Sequence, residues 1–177
     1  MVEIRYIKTG TQLRGESQGD ELSIVGYAAT WNQISEPLAG FRERLCPGCF
    51  ARSLQRGGDV IATVNHDPSL LLGRLKNKTL TLAEDATGLR FRCVLPDTSV
   101  ARDAYALIKR GDIADCSFAF QCTEDQWSEI PDPDDRSKRI ALRTVIHANL
   151  LDTSIVANPA YSGTSVNTDT ARLKPQR

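Results

Sequence analysis

The sequence lacks net charge, because its 22 lysines and arginines are balanced by 22 aspartates and glutamates. A protein that binds nucleic acid mainly through phosphate contacts needs a basic excess, so the balance argues against a nucleic-acid partner. No stretch approaches the roughly 18 apolar residues of a membrane-spanning helix, which argues against a membrane partner. The N-terminal stretch MVEIRYIKTG also lacks the apolar core of a signal peptide. We therefore expect a cytoplasmic protein.

The chain lacks an even number of cysteines, since it has five. Cys46 and Cys49 have the CxxC spacing of metal knuckles and redox motifs, but no second CxxC follows, and both histidines are distant in sequence. A structural zinc site usually needs four ligands in a recognisable pattern. A redox CxxC should open a helix in a βαβ context, and no parallel-sheet pattern surrounds this one. We expect thiols that act as small hydrophobic side chains, with no metal and no cofactor.

Most of the chain has the alternation and the β-branched content of strands, and two segments have helix signals. The predicted strands cover residues 3–9, 21–31, 60–64, 79–85, 88–95, 113–122 and 139–156, and the predicted helices cover 47–58 and 96–112. Residues 10–20 and 128–138 are typical of polar loops, and residues 162–177 are typical of a flexible polar tail. Many strands with few helices predict a barrel or a sandwich.

The helix over residues 96–112 has the clearest signals. Asp97 or Thr98 can cap its N-terminus, and Gly111 follows its C-terminus. An apolar stripe at helical spacing predicts that this helix packs on a sheet.

The segment DCSFAF at residues 115–120 holds the first candidate for chemistry. Side chains alternate between the two faces of a strand, so Cys116 and Phe118 face the core while Ser117 and Ala119 share the other face. The small residue at 119 leaves room above Ser117, as a nucleophile beneath a substrate requires. The ordinary alternative is a serine on the solvated face of a half-buried strand, and a serine considered alone favours that alternative.

The first of the two histidines, His66, lies where an apolar strand gives way to a polar turn. A serine hydroxyl is a poor nucleophile until a base takes its proton, and imidazole is the side chain best matched to that task near neutral pH. A metal ligand and an ordinary turn residue are the other interpretations. Asp67 cannot easily orient His66, since neighbours on an extended chain point apart.

An acid interrupts the apolar run at residues 149–161. Asp152 and Ser154 share one face of the predicted strand, and a buried acid is unfavourable unless it is paired. A histidine partner would satisfy Asp152, and Asp152 would then fix the imidazole tautomer as the third member of a triad does. His147 competes for that role, but on an unbroken strand it faces away from Asp152. Both side chains can face the same site only if a β-bulge lies between them in the strand.

Six segments in order resemble the caudovirus prohead serine protease family, the capsid-maturation proteases of tailed phages and related elements. The resemblance covers about residues 24–161. It is carried by the segments GYAATWN, FRERLCPGCFARSL, VNHDPSLLLGRL, TGLRFRCVLPDT, IKRGDIADCSFAF and LLDTSIVANPAY.

The resemblance implies a serine endopeptidase in which Ser117 is the nucleophile and His66 the base. Asp152 stands where the family usually has glutamate, and His147 is the alternative third member, because assemblin-like enzymes use a second histidine. Ala119 stands where glycine is usual. Arg74, in the Gly-Arg pair after His66, is a candidate oxyanion donor, although a surface arginine on a strand explains it as well.

The implied fold is mainly β with flanking helices: a closed or nearly closed antiparallel β-barrel that resembles herpesvirus assemblin. Residues 1–161 would form a single protease domain. The implied substrates are scaffold or the scaffolding segment of the major capsid protein, and the protease itself, inside assembling proheads in the host cytoplasm. Self-association is an expectation from the assemblin analogy alone.

Two competing hypotheses remain from the sequence. One is a catalytically degenerate family member that binds capsid or scaffold as a β-barrel. The other is a cysteine protease that uses Cys116, although alternation along the strand places Cys116 in the core, away from the face of Ser117.

Overall fold

The computed structural model of the chain describes residues 1–7 and 13–157, which form ten strands and two helices. The strands are β1 (Glu3–Ile7), β2 (Arg14–Gln18), β3 (Glu21–Thr30), β4 (Phe41–Leu45), β5 (Ile61–Val64), β6 (Asp67–Arg74), β7 (Leu80–Glu84), β8 (Gly88–Val94), β9 (Asp115–Pro131) and β10 (Arg139–Val156). The helices are α1 (Ala51–Gln55) and α2 (Ser99–Arg110). A mainly β fold with flanking helices is therefore confirmed.

The strands form two sheets, and the long strand β10 organises the first of them. That sheet has the order β1-β9-β10-β5-β6, with β4 also paired to β10. β9 runs antiparallel along almost the whole of β10, whereas β4 and β5 follow one another along its other edge, both parallel to it. The second sheet has the order β2-β3-β8-β7 and is antiparallel throughout.

The prediction of a closed or nearly closed antiparallel barrel is wrong in two respects. The first sheet curls into a half-barrel that does not close, since its outer strands β1 and β6 do not pair with each other in the described part of the chain. The sheet is also mixed, because β4 and β5 both run parallel to β10. The chain passes from β4 through α1 to β5 along the same edge of β10. Alternating patterns identify strands but do not reveal the direction of their partners.

The core lies between the sheets and fixes the orientation of β9. Phe118 and Phe120 stack at 5.4 Å between ring centroids, and Phe50 meets Phe118 edge to face at 5.9 Å. Cys116 and these three phenylalanines are at most 1% exposed. Truncating one such phenylalanine to alanine costs about 3–5 kcal/mol, so the core face of β9 is strongly specified.

Helix α2 confirms the clearest helix prediction. The Thr98 hydroxyl accepts a hydrogen bond from the Ala101 amide at 3.3 Å, and Gly111 ends the helix with a φ of 86°. Ala104 and Ile108 are buried on its inner side, where the helix lies against β2, β3 and β6. No helix in residues 1–7 or 13–157 is long and apolar enough to cross a membrane.

Two predicted boundaries are corrected, and a third cannot be compared. The segment predicted as a polar loop over residues 10–20 contains β2, whose backbone pairs with β3 although its side chains are polar. Strand β9 continues past residue 122 to Pro131, which shortens the predicted loop at 128–138. The predicted tail at 162–177 and the end of the predicted domain at 161 lie outside the described residues.

Helix α1 is shorter than the predicted helix over residues 47–58, because CPGC forms a turn before it. The Cys49 amide donates to the Cys46 carbonyl at 3.2 Å, with Pro47 and a left-handed Gly48 (φ 83°) at the two central positions. This residue choice is typical of a type II turn. Proline and glycine thus have a turn-forming role that is independent of any chemistry of the thiols.

Candidate active site

His66 lies in the two-residue turn that joins β5 to β6. Val64 pairs with Asp67, and the two residues between them, Asn65 and His66, have φ values of 52° and 58°. Two successive left-handed residues define a type I′ turn, in which asparagine is favoured at the first position. A left-handed histidine is uncommon, and strain of this kind accumulates at functional sites.

The turn is fastened to β10 by its own backbone. The Asn65 amide donates to the Ile155 carbonyl at 3.0 Å, and the His66 amide donates to the Ser154 hydroxyl at 3.0 Å. The imidazole of His66 is therefore held against the sheet by groups that do not belong to its side chain.

Asp152 lies in a cradle of hydroxyl groups on the same face of the sheet. The hydroxyls of Thr63 and Ser154 donate to its carboxylate at 2.9 and 3.0 Å, and the two hydroxyls are 2.5 Å apart. A bulge between Leu150 and Asp152 precedes this segment of β10. The side chain of Asp152 is 12% exposed, so these hydrogen bonds provide what a buried carboxylate requires.

The three residues predicted as a triad lie in one hydrogen-bonded chain. Nδ1 of His66 is 2.7 Å from Oδ1 of Asp152, and Nε2 of His66 is 2.5 Å from Oγ of Ser117. A carboxylate accepts only, so Nδ1 carries the proton and Nε2 is left to accept one from the serine. This arrangement can remove a proton from Ser117 and store it on the imidazole.

The room predicted above Ser117 is not there. Ser117 is 0% exposed, and its hydroxyl donates to the backbone carbonyl of Arg5 at 2.9 Å. Strand β1 supplies that carbonyl, because it pairs with β9 so that Tyr6 lies opposite Ser117. Alternation separates the two faces of β9 correctly, but it does not reveal that the neighbouring strand β1 presents a backbone carbonyl to the hydroxyl of Ser117.

His147 and Arg74 lie elsewhere. His147 has Nε2 at 3.8 Å from Glu124, and its buried Nδ1 has no hydrogen-bond partner among the described residues. Arg74 ends β6 with an exposed side chain whose Nε is 3.3 Å from Asp59. The bulges that could have turned His147 towards Asp152 exist in β10, yet it is Asp152 that lies behind the ring of His66.

The family model described as caudovirus prohead serine protease matches residues 10–177 of the chain. The chain belongs to this family. Membership indicates a serine peptidase with a role in capsid maturation inside assembling proheads of the host cell, and it implies capsid-related substrates. No curated protein and no solved structure gives a significant match.

Three groups at the site of this prohead protease family member were given no role from the sequence: the hydroxyls of Ser154 and Thr63, and the backbone carbonyl of Arg5. Ser154 carried a signal, because it shares the face of Asp152 two residues away. Thr63 carried none, since a threonine is ordinary in a buried strand. It reaches Asp152 because β5 pairs in parallel with β10 and sets Thr63 opposite Ser154.

The left-handed turn gives a prediction about stability. His66→Gly and His66→Ala both remove the imidazole, but only alanine retains the steric penalty of a positive φ. We expect the free energy of unfolding of His66→Gly, measured by urea denaturation, to exceed that of His66→Ala by about 1 kcal/mol. Asp67, next in the chain and without a positive φ, is the matched control, and there alanine should be the more stable substitution. Equal stabilities of the two His66 variants would contradict a strained turn.

Burial separates the cysteines chemically. Cys49 is 0% exposed, and burial raises the pKa of its thiol; burial also raises the pKa of Cys93 to about 12. A redox CxxC needs the opposite, an accessible thiol with a lowered pKa. Cys46 and Cys122 are free thiols with partial exposure.

Alkylation measures this difference. With iodoacetamide at mildly alkaline pH, we expect Cys46 to be modified while Cys49 and Cys93 stay unmodified until urea unfolds the chain, because only thiolates react. Peptide mapping by mass spectrometry gives the order. Equal rates at Cys46 and Cys49 in the folded protein would restore the redox interpretation.

Proposed function

We propose that the protein is a serine endopeptidase with Ser117 as nucleophile, His66 as base and Asp152 as the acid that orients it. The observation that carries the proposal is the unbroken chain from Asp152 through His66 to Ser117, at 2.7 and 2.5 Å. Family membership supplies the reaction class for which such a chain is suited.

The proposed reaction is acyl transfer in two halves. Oγ of Ser117 attacks a peptide carbonyl carbon while Nε2 of His66 takes the hydroxyl proton. The tetrahedral intermediate collapses, the C–N bond breaks, and His66 returns the proton to the leaving amine. Water then repeats the sequence on the acyl-enzyme, with His66 as base and then as acid, and frees Ser117. Asp152 keeps the proton on Nδ1 and stabilises the imidazolium.

The third member of the proposed triad is Asp152 rather than His147. Its support is the contact with Nδ1, the ring nitrogen that faces away from the serine. Arg74 stays a candidate oxyanion donor on the resemblance alone, because its guanidinium contacts Asp59.

The proposed substrates are scaffold or the scaffolding segment of the major capsid protein, with the protease itself as a further substrate. The alternative is a catalytically degenerate member that binds capsid or scaffold. One observation favours that alternative: Ser117 is 0% exposed, so no peptide reaches it in the described conformation.

Coexpression distinguishes the two. Wild type and Ser117→Ala are each produced with the major capsid protein, and intact masses of both chains are measured. Shortening of the capsid protein with wild type alone supports the peptidase, and shortening of the protease itself identifies self-cleavage. Unchanged capsid masses, together with stable copurification of the two proteins, would favour the binding domain.

A further inference from the structure

Strand β1 pairs with β9 at the place where the proposed nucleophile lies. It runs antiparallel to β9 from Glu3, opposite Phe120, to Ile7, opposite Cys116, and forms one edge of the first sheet. The family model begins at residue 10, so β1 precedes the matched residues. Without β1, the edge of β9 that carries Ser117 would have unpaired backbone groups, which is the template that an extended peptide needs.

The carbonyl of Arg5 competes for the proton of Ser117. A hydroxyl has one proton, and here it has two acceptors: the Arg5 carbonyl at 2.9 Å and Nε2 of His66 at 2.5 Å. A proton donated to the carbonyl is not passed to the imidazole. The backbone of β1 therefore opposes the activation of Ser117.

The side chain after Arg5 covers the base. The Tyr6 ring meets the His66 ring edge to face at 6.2 Å between centroids. Ser117 is 0% exposed and the side chain of His66 is 13% exposed. Two consecutive residues of β1 thus contact the two reacting groups, Arg5 through its carbonyl and Tyr6 through its ring.

A cluster of ion pairs, here called the latch, holds β1 in this position; Arg5 and Glu43 are buried, whereas Glu3, Arg143 and Asp125 are partly exposed. Arg5 donates to both carboxylate oxygens of Glu43 at 2.7 and 3.1 Å, and Arg143 donates to both oxygens of Glu3 at 2.5 and 3.2 Å. Asp125 accepts from Arg143 at 2.6 Å. Burial lowers the pKa of Arg143, but the hydrogen bonds to Glu3 and Asp125 outweigh it and raise that pKa.

We propose that β1 is an inhibitory strap that occupies the place of the substrate on β9, and that a substrate binds there as an extended strand once β1 has left. The inference rests on the proposed function, because it needs Ser117 to be the nucleophile. A tethered strand has an effective concentration of about a millimolar, so a substrate must be abundant locally to displace it. The strap then confines cleavage to places where substrate segments are crowded together.

The test measures how fast Ser117 reacts with a fluorophosphonate. Oγ of Ser117 attacks phosphorus, fluoride leaves, and His66 takes the hydroxyl proton, so the rate reports both access and activation. Glu3→Lys places a cation beside Arg143 and opens the latch. Glu21→Lys makes the same charge change at an exposed pair with Arg92, and it is the matched control.

We expect Glu3→Lys to label about tenfold faster than wild type or Glu21→Lys, since it replaces an anion that contacts both Arg5 and Arg143 with a cation. If Glu3→Lys fails to fold, Glu3→Gln, which keeps the side-chain shape, should still label faster than Glu21→Gln. The peptide MVEIRYI, added at about 1 mM to match the tether, should slow the released variant again, whereas a scrambled peptide should not.

The outcomes separate the strap from the proposed function. Labelling that requires Ser117 but proceeds at one rate in all folded variants, with no effect of the peptide, would overturn the strap alone. The absence of Ser117-dependent labelling from every variant would overturn the proposed function and the strap with it. Faster labelling of Glu3→Lys that MVEIRYI reverses supports both.

Discussion

Ser117→Ala is expected to lower the rate of capsid-protein cleavage about a million-fold, the size of loss seen when a triad nucleophile is removed. The proposed mechanism has no other group that can form the acyl-enzyme. The methyl group of alanine fits the space of the hydroxyl, so the fold is retained. Quantitative mass spectrometry of the capsid-protein products gives the rate, and thermal denaturation verifies the fold.

The matched control for this variant is Ser128→Ala, an exposed serine on the same strand. It should cleave at the wild-type rate. If Ser117→Ala retains measurable cleavage while Cys116→Ala loses it, the nucleophile is the neighbouring thiol and the cysteine protease hypothesis is revived.

Asp152→Asn is expected to lower the cleavage rate about ten-thousand-fold without unfolding the protein. The carboxylate now accepts from Nδ1 of His66 at 2.7 Å, which leaves Nε2 free to accept from Ser117. An amide can present its NH₂ group to Nδ1, and the imidazole proton then moves to Nε2, where it blocks proton transfer. The loss should appear in the turnover number more than in the apparent affinity for substrate.

His147 provides the decisive comparison for that result. Because its Nε2 faces Glu124 at 3.8 Å, His147→Gln should change the rate far less than Asp152→Asn. Asp103→Asn, on the exposed side of α2, is the matched control for the loss of a carboxylate. A larger loss with His147→Gln than with Asp152→Asn would assign the third position to the histidine.

Local patterns predicted the parts of the molecule that local chemistry decides. The cap and the terminal glycine of α2, the strands β7 and β8, and the core face of β9 follow from residue choices within a few positions. The three residues of the proposed triad were brought together by family resemblance. Alternation along the strands, taken alone, made Ser117 only a plausible nucleophile and Asp152 only a plausible orienting acid.

The features that were missed depend on partners distant in sequence. The parallel pairing of β5 with β10 sets Thr63 beside Asp152, across a separation of 89 residues. The carbonyl that competes for the proton of Ser117 belongs to a residue 112 positions away, and a backbone carbonyl has no sequence signature. His66 was predicted at a strand end, but its positive φ comes from the turn and from hydrogen bonds to β10.

Mapping the site of fluorophosphonate attachment tests the central claim most directly. The account predicts one adduct, located on Ser117 by fragmentation of its peptide, and no adduct in His66→Gln or Ser117→Ala under the same exposure. An adduct on another residue, or labelling of Ser117 that persists unchanged in His66→Gln, would contradict a hydroxyl activated by His66.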